Sequence, residues 1–261
     1  MTLSVITPSY QQGVWLEETL RSVREAAEVA APKYRVQHIV VDGGSTDQTL
    51  TVLQGQSFAS WISEPDDGQT DAINKGMARA DGEILCYLCS DDLWDPLTAR
   101  LVLERFEAEP EIDFVYGDYW FLEMPAGRRR KKRAGPFSYE RLVRGNFLSQ
   151  PATFWRRRVR ERFGDFDTRL RYCMDYEFWL RAGRSTRWCY VEHPLALMRL
   201  HADAKSSSQL AAAWWEAAVQ LGAYRPAWRR WSEAWWMMMV GQHYYRAKRR
   251  WFGRKVQIEA R

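Results

Sequence analysis

The residues best equipped to do chemistry in this chain are two adjacent carboxylates, Asp91 and Asp92, which follow directly on the apolar run GEILCYLCS. Two ionised acids side by side raise one another's pKa unless a cation neutralises them. A hard divalent ion does so economically, since Mg²⁺ or Mn²⁺ takes oxygen ligands, commonly one or two carboxylates together with substrate phosphates. The doublet therefore points to a phosphate-bearing substrate. Its competing role is structural, with Ser90 or Asp91 capping the helix in DPLTARLVLERF.

Other reactive side chains recur at comparable places. Asp42 ends the apolar run in VVDGGSTDQT, where the glycines let backbone approach a ligand and the carboxylate can accept from a base or ribose, or can simply serve a turn. Lys75, in DAINKG, is a cation for a diphosphate or an exposed helix lysine. Asp175 lies in CMDYEFWLRAG; on its residue type alone it is a surface helix acid. Glu177 is the nearest rival base, about 200° around the same helix. His201 sits in RLHADAKS, with Arg199 and Lys205 beside it.

These residues need a scaffold, and the hydrophobic periods supply one. LSVITPSY is a short β-rich run ended by Pro8 and Ser9; WLEETLRSVREAAEVA then carries helix-spaced Leu16, Leu20 and Val23. Strands are expected at 36–41 and 84–88, with another in SWISE, and helices through TLTVLQG and around 72–80. Alternating strands and helices predict right-handed βαβ units and a parallel sheet covered on both faces. Such sheets bind ligands beyond the carboxyl ends of their strands, where Asp42, residues 64–67, Asp91 and Asp92 all fall. Farther on, a helix stops at Pro110, DFVYGDYWFLEM alternates as a strand or hairpin arm, and GRRRKKR is expected to tip that hairpin, either as a solvated loop or as a binder of lipid phosphate or an anionic sugar. QPATFWRRRV reads as a strand leading to a basic turn, with Trp155 either core or, with Gln150, lining a pocket. Cys173 to Gly183 is a helix facing Phe178, Trp179 and Ala182 inward.

With 261 residues, 46% of them hydrophobic, the chain can bury one sizeable core plus an appendage. The four cysteines lack paired metal spacing and are expected to be free thiols in a reducing compartment. No run approaches the ~18 apolar residues of a spanning helix. The expected location is cytoplasmic, at most peripheral on the inner face of the cell membrane. From Gln209 the composition changes: QLAAAWWEAAVQLGAYRP is a helix closed by Gly222, and Trp228, Trp231, Trp235 and Met238 then recur at helical steps. That stripe packs on the catalytic domain or a second subunit, or lies in a membrane interface. The formal charge of +5 does not choose among phosphate-bearing partners. Nucleic acid is not expected, because no recognised motif accompanies the basic runs.

Taken in order, VITPSYQQGVWLEETLRSV, IVVDGGSTDQT, SEPDDGQTDAINKGMARADGEILCYLCSDD, QPATFWRRR, MDYEFWLR and RLHADAKS resemble family 2 glycosyltransferases of the bacterial cell-surface polysaccharide type, over roughly residues 3–208. The resemblance implies an α/β GT-A fold, with a Rossmann-like, mostly parallel sheet and a C-terminal helical extension. It implies a catalytic domain at 1–208, with a nucleotide-sugar half at 1–100 and an acceptor half at 101–208, followed by a tail at 209–261. Nucleotide-sugar binding falls to Pro8, Ser9, Tyr10, Asp42, Asp66, Gly68, Asp71, Asn74, Lys75, Ser90, Asp91 and Arg199. Mg²⁺ or Mn²⁺ falls to Asp91, Asp92 and His201, and the catalytic base to Asp175. The family's D-x-D motif reads Cys89-Ser90-Asp91 here, so its first acid is a thiol, a poor Mg²⁺ ligand.

The implied activity is an inverting, metal-dependent transfer of sugar from a UDP- or GDP-linked donor to a glycan or lipid-linked acceptor. The alternative is a membrane-surface-binding protein with a degenerate nucleotide-binding domain. A nucleotidyltransferase lacks its Gly-rich, Arg-bearing first loop here, and a dinucleotide dehydrogenase lacks its G-x-G-x-x-G. A homo-oligomer is left open.

Overall fold

The computed structural model describes residues 1–124, 126–201, 204 and 210–224. Met1–His201 forms one compact unit, and a second unit follows from Ala202. The first half alternates as its hydrophobic periods require. Strands β1 (Thr2–Ser9), β2 (Arg35–Asp42), β3 (Ser60–Ser63) and β4 (Ile84–Tyr87) alternate with helices α1 (Gly13–Ala30), α2 (Thr49–Gln54) and α3 (Gln69–Ala78). All four strands run parallel in the order β3-β2-β1-β4. Their carboxyl ends therefore lie along one edge, beneath the loops that carry Tyr10, Asp42, Asp66 and Asp91. Leu16, Leu20 and Val23 of α1 are buried, the first two packing with Val40, Leu53 and Ala59. Gly76 lets α3 lie close on β1: a Cβ there would come within 2.4 Å of Ile6 Cγ2.

The second half adds β5 (Leu93–Trp94), α4 (Thr98–Ala108), β6 (Phe114–Glu123), β7 (Arg128–Lys132), α5 (Tyr139–Arg144), β8 (Thr153–Arg156), α6 (Arg157–Phe163), α7 (Met174–Gly183) and β9 (Trp188–Leu200). The sheet continues from β4 through antiparallel β8 and β6 to β9, which runs parallel to β6, and ends on β5. A register shift at Gly117 and Asp118 bends the β6–β9 pair.

Three expectations change here. The basic run 128–132 does not tip the hairpin; it is the returning strand, paired residue for residue with Tyr119–Glu123. The basic segment after β8 is helix, not turn. Arg156 at the end of β8 and the arginines of this helix clamp main-chain carbonyls, with Arg158 and Arg160 also paired to Asp113 and Asp165: Arg156 donates to Phe106 O and Ile112 O, Arg157 to Ala80 O and Gly82 O, and Arg160 to Met77 O. Trp155 is fully buried and shapes no pocket. It packs edge-on against Phe166, Phe178 and Trp179, in a layer where Trp188 is stacked between Phe114 and Phe137 at 3.9 and 4.3 Å. Truncating such aromatics costs about 3–5 kcal/mol, so this layer is a principal stabiliser beneath the site.

Helix α8 (Leu210–Tyr224) is described by itself; Gly222 lies within it and does not close it. Pro226, Trp228, Trp231, Trp235 and Met238 lie outside the described residues, as does Lys205. Among the described residues no helix is long and apolar enough to cross a membrane.

Candidate active site

Strand β4 ends on like charges because the chain turns there. Leu88 N–H still reaches Ile6 O (2.8 Å), then Cys89, Ser90, Asp91 and Asp92 form a turn closed by Asp92 N–H to Cys89 O (3.0 Å). Neither Ser90 nor Asp91 caps α4. They lie upstream of β5, and Asp95 accepts from Leu97 N–H at the helix start. The capping role is thereby excluded. Donor atoms of Cys89, Asp91 and Asp92 all lie within 4.8 Å of one another. Burial, and then the charge of Asp91, push the Asp92 carboxyl well above the usual range, while Arg199 pulls the other way.

The cluster is closed by the end of β9. Arg199 N–H donates to Asp92 Oδ1 (3.2 Å), and His201 Nε2 lies 3.0 Å from Asp91 Oδ2. Behind them stands one face of α1. Thr19 Oγ1 lies 2.7 and 2.9 Å from the Ser90 and Asp92 carbonyls, Glu18 pairs with the Arg199 guanidinium, and Trp15 stacks beneath both Arg199 and His201. Trp15, Glu18 and Thr19 were not anticipated. Their i, i+3, i+4 spacing on an amphipathic helix was the available signal. Among the described residues Arg199 Nη1 and His201 Nδ1 are buried without a hydrogen-bond partner. Burial lowers the guanidinium pKa, against Glu18, Asp92 and Asp91, which raise it.

The donor-side candidates separate into two groups. Pro8 and Ser9 end β1, where Ser9 Oγ is buried without a partner, and Tyr10 beyond them is 61% exposed. Asp42 is fully buried: Oδ2 accepts from Ser45 N–H (2.9 Å) and Ser63 Oγ (2.6 Å), and Oδ1 from Ser45 Oγ (2.5 Å). Its carboxylate thus orders the 43–45 loop. Asp66 lies against that loop, its Oδ2 2.7 Å from where a Gly43 Cβ would stand, and burial raises its pKa. Gly68 takes φ +112° with open space around its Cα, the left-handed conformation that a side chain disfavours.

Asn74 and Lys75 are both held by neighbouring groups of the chain. Asn74 is bonded at both ends of its amide to the Phe166 backbone (2.9 and 3.2 Å), and Lys75 meets Asp71 (3.1 Å) and Glu64 (3.5 Å). Asp71 Oδ2 also accepts from Asp67 N–H, so both residues are engaged within the chain.

On the acceptor side, Asp175 occupies the first turn of α7, half-buried, its Oδ1 accepting from Tyr176 N–H (2.8 Å). Glu177 is buried and paired with Arg181, which removes it as a rival base. Tyr87, at the end of β4, has its hydroxyl pKa driven well up by burial and then by the charges of Asp175, Cys89 and Asp92. Gln150 donates to Tyr87 O and lies 3.7 Å from Cys89 Sγ, which also receives Gln69 Nε2 (3.2 Å).

The sequence profile described as "Glycosyl transferase family 2" matches residues 4–173. The chain belongs to this family. A Mycobacterium tuberculosis protein named "Uncharacterized glycosyltransferase" is 33% identical over 187 residues, 69% of this chain and 68% of its own. A Mycobacterium bovis "PGL/p-HBAD biosynthesis glycosyltransferase" is 33% identical over 152 residues, 55% of this chain and 56% of its own. Among solved structures, S. aureus TarS 1-349 in complex with UDP-GlcNAc has a TM-score of 0.66 at 19% identity, covering 84% of this chain and 66% of that one. The mannosyltransferase PcManGT from Pyrobaculum calidifontis, in complex with GDP-Man and Mn2+, has a TM-score of 0.60 at 21% identity, over 85% of this chain and 63% of that one. A further TarS chain is spanned over 39% of its length. These likenesses establish the GT-A fold.

Family 2 enzymes commonly take a divalent ion, and the donors here fit one. Two carboxylates and a thiol converge, the repulsion between Asp91 and Asp92 calls for a cation, and the His201 imidazole meets Asp91 through Nε2.

Proposed function

We propose that the chain is an inverting, metal-dependent glycosyltransferase that moves a sugar from a UDP- or GDP-linked donor to a hydroxyl of a glycan or lipid-linked acceptor, in cell-surface polysaccharide assembly. The observation that carries this reading is the convergence of donor atoms of Cys89, Asp91 and Asp92 within 4.8 Å of one another, closed by Arg199 N–H on Asp92 and by His201 Nε2 at 3.0 Å from Asp91. An acid cluster able to hold a divalent ion against a diphosphate, with a further carboxylate to serve as base, is what direct displacement at an anomeric carbon requires.

Asp91 and Asp92, with His201, would hold the Mg²⁺ or Mn²⁺, and Cys89 offers a softer fourth donor. When bound, that ion offsets the charge of the departing nucleoside diphosphate. Asp175 takes the proton from the attacking hydroxyl as the glycosidic bond forms, a role worth roughly 10²–10⁴ in rate. Displacement from the face opposite the diphosphate inverts the anomeric centre. Exposed Tyr10 offers its ring to the base, and the Asp42-ordered loop offers its main chain to the nucleoside. We assign these steps to residues 1–208 and leave 209–261 as an appended helical tail.

Purified full-length protein should slowly hydrolyse a nucleotide-sugar with Mn²⁺ or Mg²⁺, and Asp91→Ala should abolish that turnover. Failure to bind any donor in a broad panel would end this reading.

A further inference from the structure

The geometry points to the β6–β7 hairpin as a docking arm for an anionic lipid bilayer, placed to lay that surface beside the mouth of the acid cluster. Strand β7 and the residue after it carry six consecutive cations, Arg128 to Arg133, all exposed. Three are partly balanced: Arg128 by Glu123 (2.7 Å), Lys131 by Asp118 (3.3 Å) and Arg133 by Glu192. Among the described residues Arg129, Arg130 and Lys132 make no ion pair, and Arg130 lies 4.9 Å over the Phe121 ring.

The position of the arm gives the run its meaning. In the sheet, Leu122 of β6 pairs with Arg129 on one side and with Arg199 on the other. Arg129 is thus two strand spacings, about 10 Å, from the residue whose N–H holds Asp92. Met124, at the end of the arm and 37% exposed, donates its N–H to Leu200 O (2.9 Å), next to His201.

The shape of the array selects the occupant. Successive strand residues point to opposite faces, so Arg128, Arg130 and Lys132 diverge from Arg129 and Lys131. Diverging cations cannot converge on a single phosphate. Side chains from both faces can meet a charge spread over a surface that lies along the outer edge of β7, the edge not paired with β6, and an apolar residue at the tip suits a surface with an oily interior. A lipid-linked acceptor would then arrive at the site from the plane on which the enzyme rests. That functional consequence rests on the transferase reading, whereas the docking itself does not.

The test uses full-length protein and phosphatidylcholine vesicles with and without phosphatidylglycerol, at low and high salt. The expected result is binding only to the anionic vesicles, weakened by salt. Neutralising the three unpaired cations (Arg129→Gln, Arg130→Gln, Lys132→Gln) should lower that affinity about fivefold per cation, about a hundredfold together. The thermal midpoint and vesicle-free donor hydrolysis should stay unchanged. A matched variant in the tail (Arg229→Gln, Arg230→Gln, Arg249→Gln) sets the comparison. Undiminished vesicle binding by the hairpin variant overturns the proposal, whether the tail carries all the affinity or the cations merely guard a free sheet edge. Retention on a soluble polyanionic glycan without retention on vesicles overturns it as well. Absence of donor hydrolysis in the unmodified protein would remove the transferase reading and leave the vesicle result standing.

Discussion

Two polar segments of this molecule look alike in sequence and differ in what the fold leaves them to do. The stretch 64–75 holds four acids, two amides and a lysine; the stretches 89–92 and 199–201 hold two acids, a thiol, an arginine and a histidine. In the first, the chain consumes the bonding capacity: Lys75 is neutralised by Asp71 and Glu64, and Asn74 is bonded at both ends to Phe166. In the second, two carboxylates crowd together while, among the described residues, Arg199 Nη1 and His201 Nδ1 are left without partners. Ligand-binding capacity is what remains after folding has taken its share, and residue type alone does not disclose that remainder.

Substitutions break this contrast most sharply where capacity remains. Asp91→Asn should lower donor turnover by roughly 10²–10³-fold, with the loss of charge stabilisation at the diphosphate, at little cost in thermal stability. Initial rates against Mn²⁺ concentration check this. Asp175→Asn should reduce kcat by roughly 10²–10⁴-fold while leaving donor affinity, read by thermal shift, within a few-fold of the original.

Acid titration separates both segments from the scaffold beneath them. His38, buried in β2 against Thr7 Oγ1 (2.8 Å), is pushed down to about 3 by its burial. The unfolded imidazole protonates near 6.5, so between those values the unfolded chain binds more protons and stability falls as pH falls. The slope contributed is up to about 1.4 kcal/mol per pH unit, and His38→Gln should flatten it in denaturant melts across that window. In the consumed segment, Asn74→Leu should cost about 1–3 kcal/mol by stranding the Phe166 main chain, with turnover of the surviving folded enzyme little changed. Lys75→Met should cost under about 1 kcal/mol, because its ion pairs are partly solvated. A turnover loss above a hundredfold in Lys75→Met, with the fold intact, would erase the distinction between the segments.

The first half of the fold was legible because its strands are short, β-branched and punctuated by Gly and Pro, and because the apolar steps in α1 match its buried face. The ordered motifs also placed Asp91 and His201 in one site, and these meet at 3.0 Å. Strand β7 was not legible: five consecutive cations look like a solvated tip until Tyr119–Glu123 provide a pairing edge and Glu123 and Asp118 provide countercharge. Helix α6 hid for a similar reason, since its arginines answer carbonyls from segments distant in sequence. The backing role of α1 is the clearest case. Glu18 and Arg199 are separated by 181 positions, and no local pattern announces their contact.

That helix has a consequence for how such an enzyme can be altered. Its first residue, Gly13, is anchored by Asp47 (2.9 Å) of the loop after β2, and Thr19, within two turns, grips the carbonyls of Ser90 and Asp92. One rod therefore touches both the loop after β2 and the acidic turn, the places proposed for the nucleoside and the diphosphate. A change of base preference made by re-seating residues 11–13 would tilt the rod and drag the acidic turn with it, so donor choice and metal grip will resist being tuned independently.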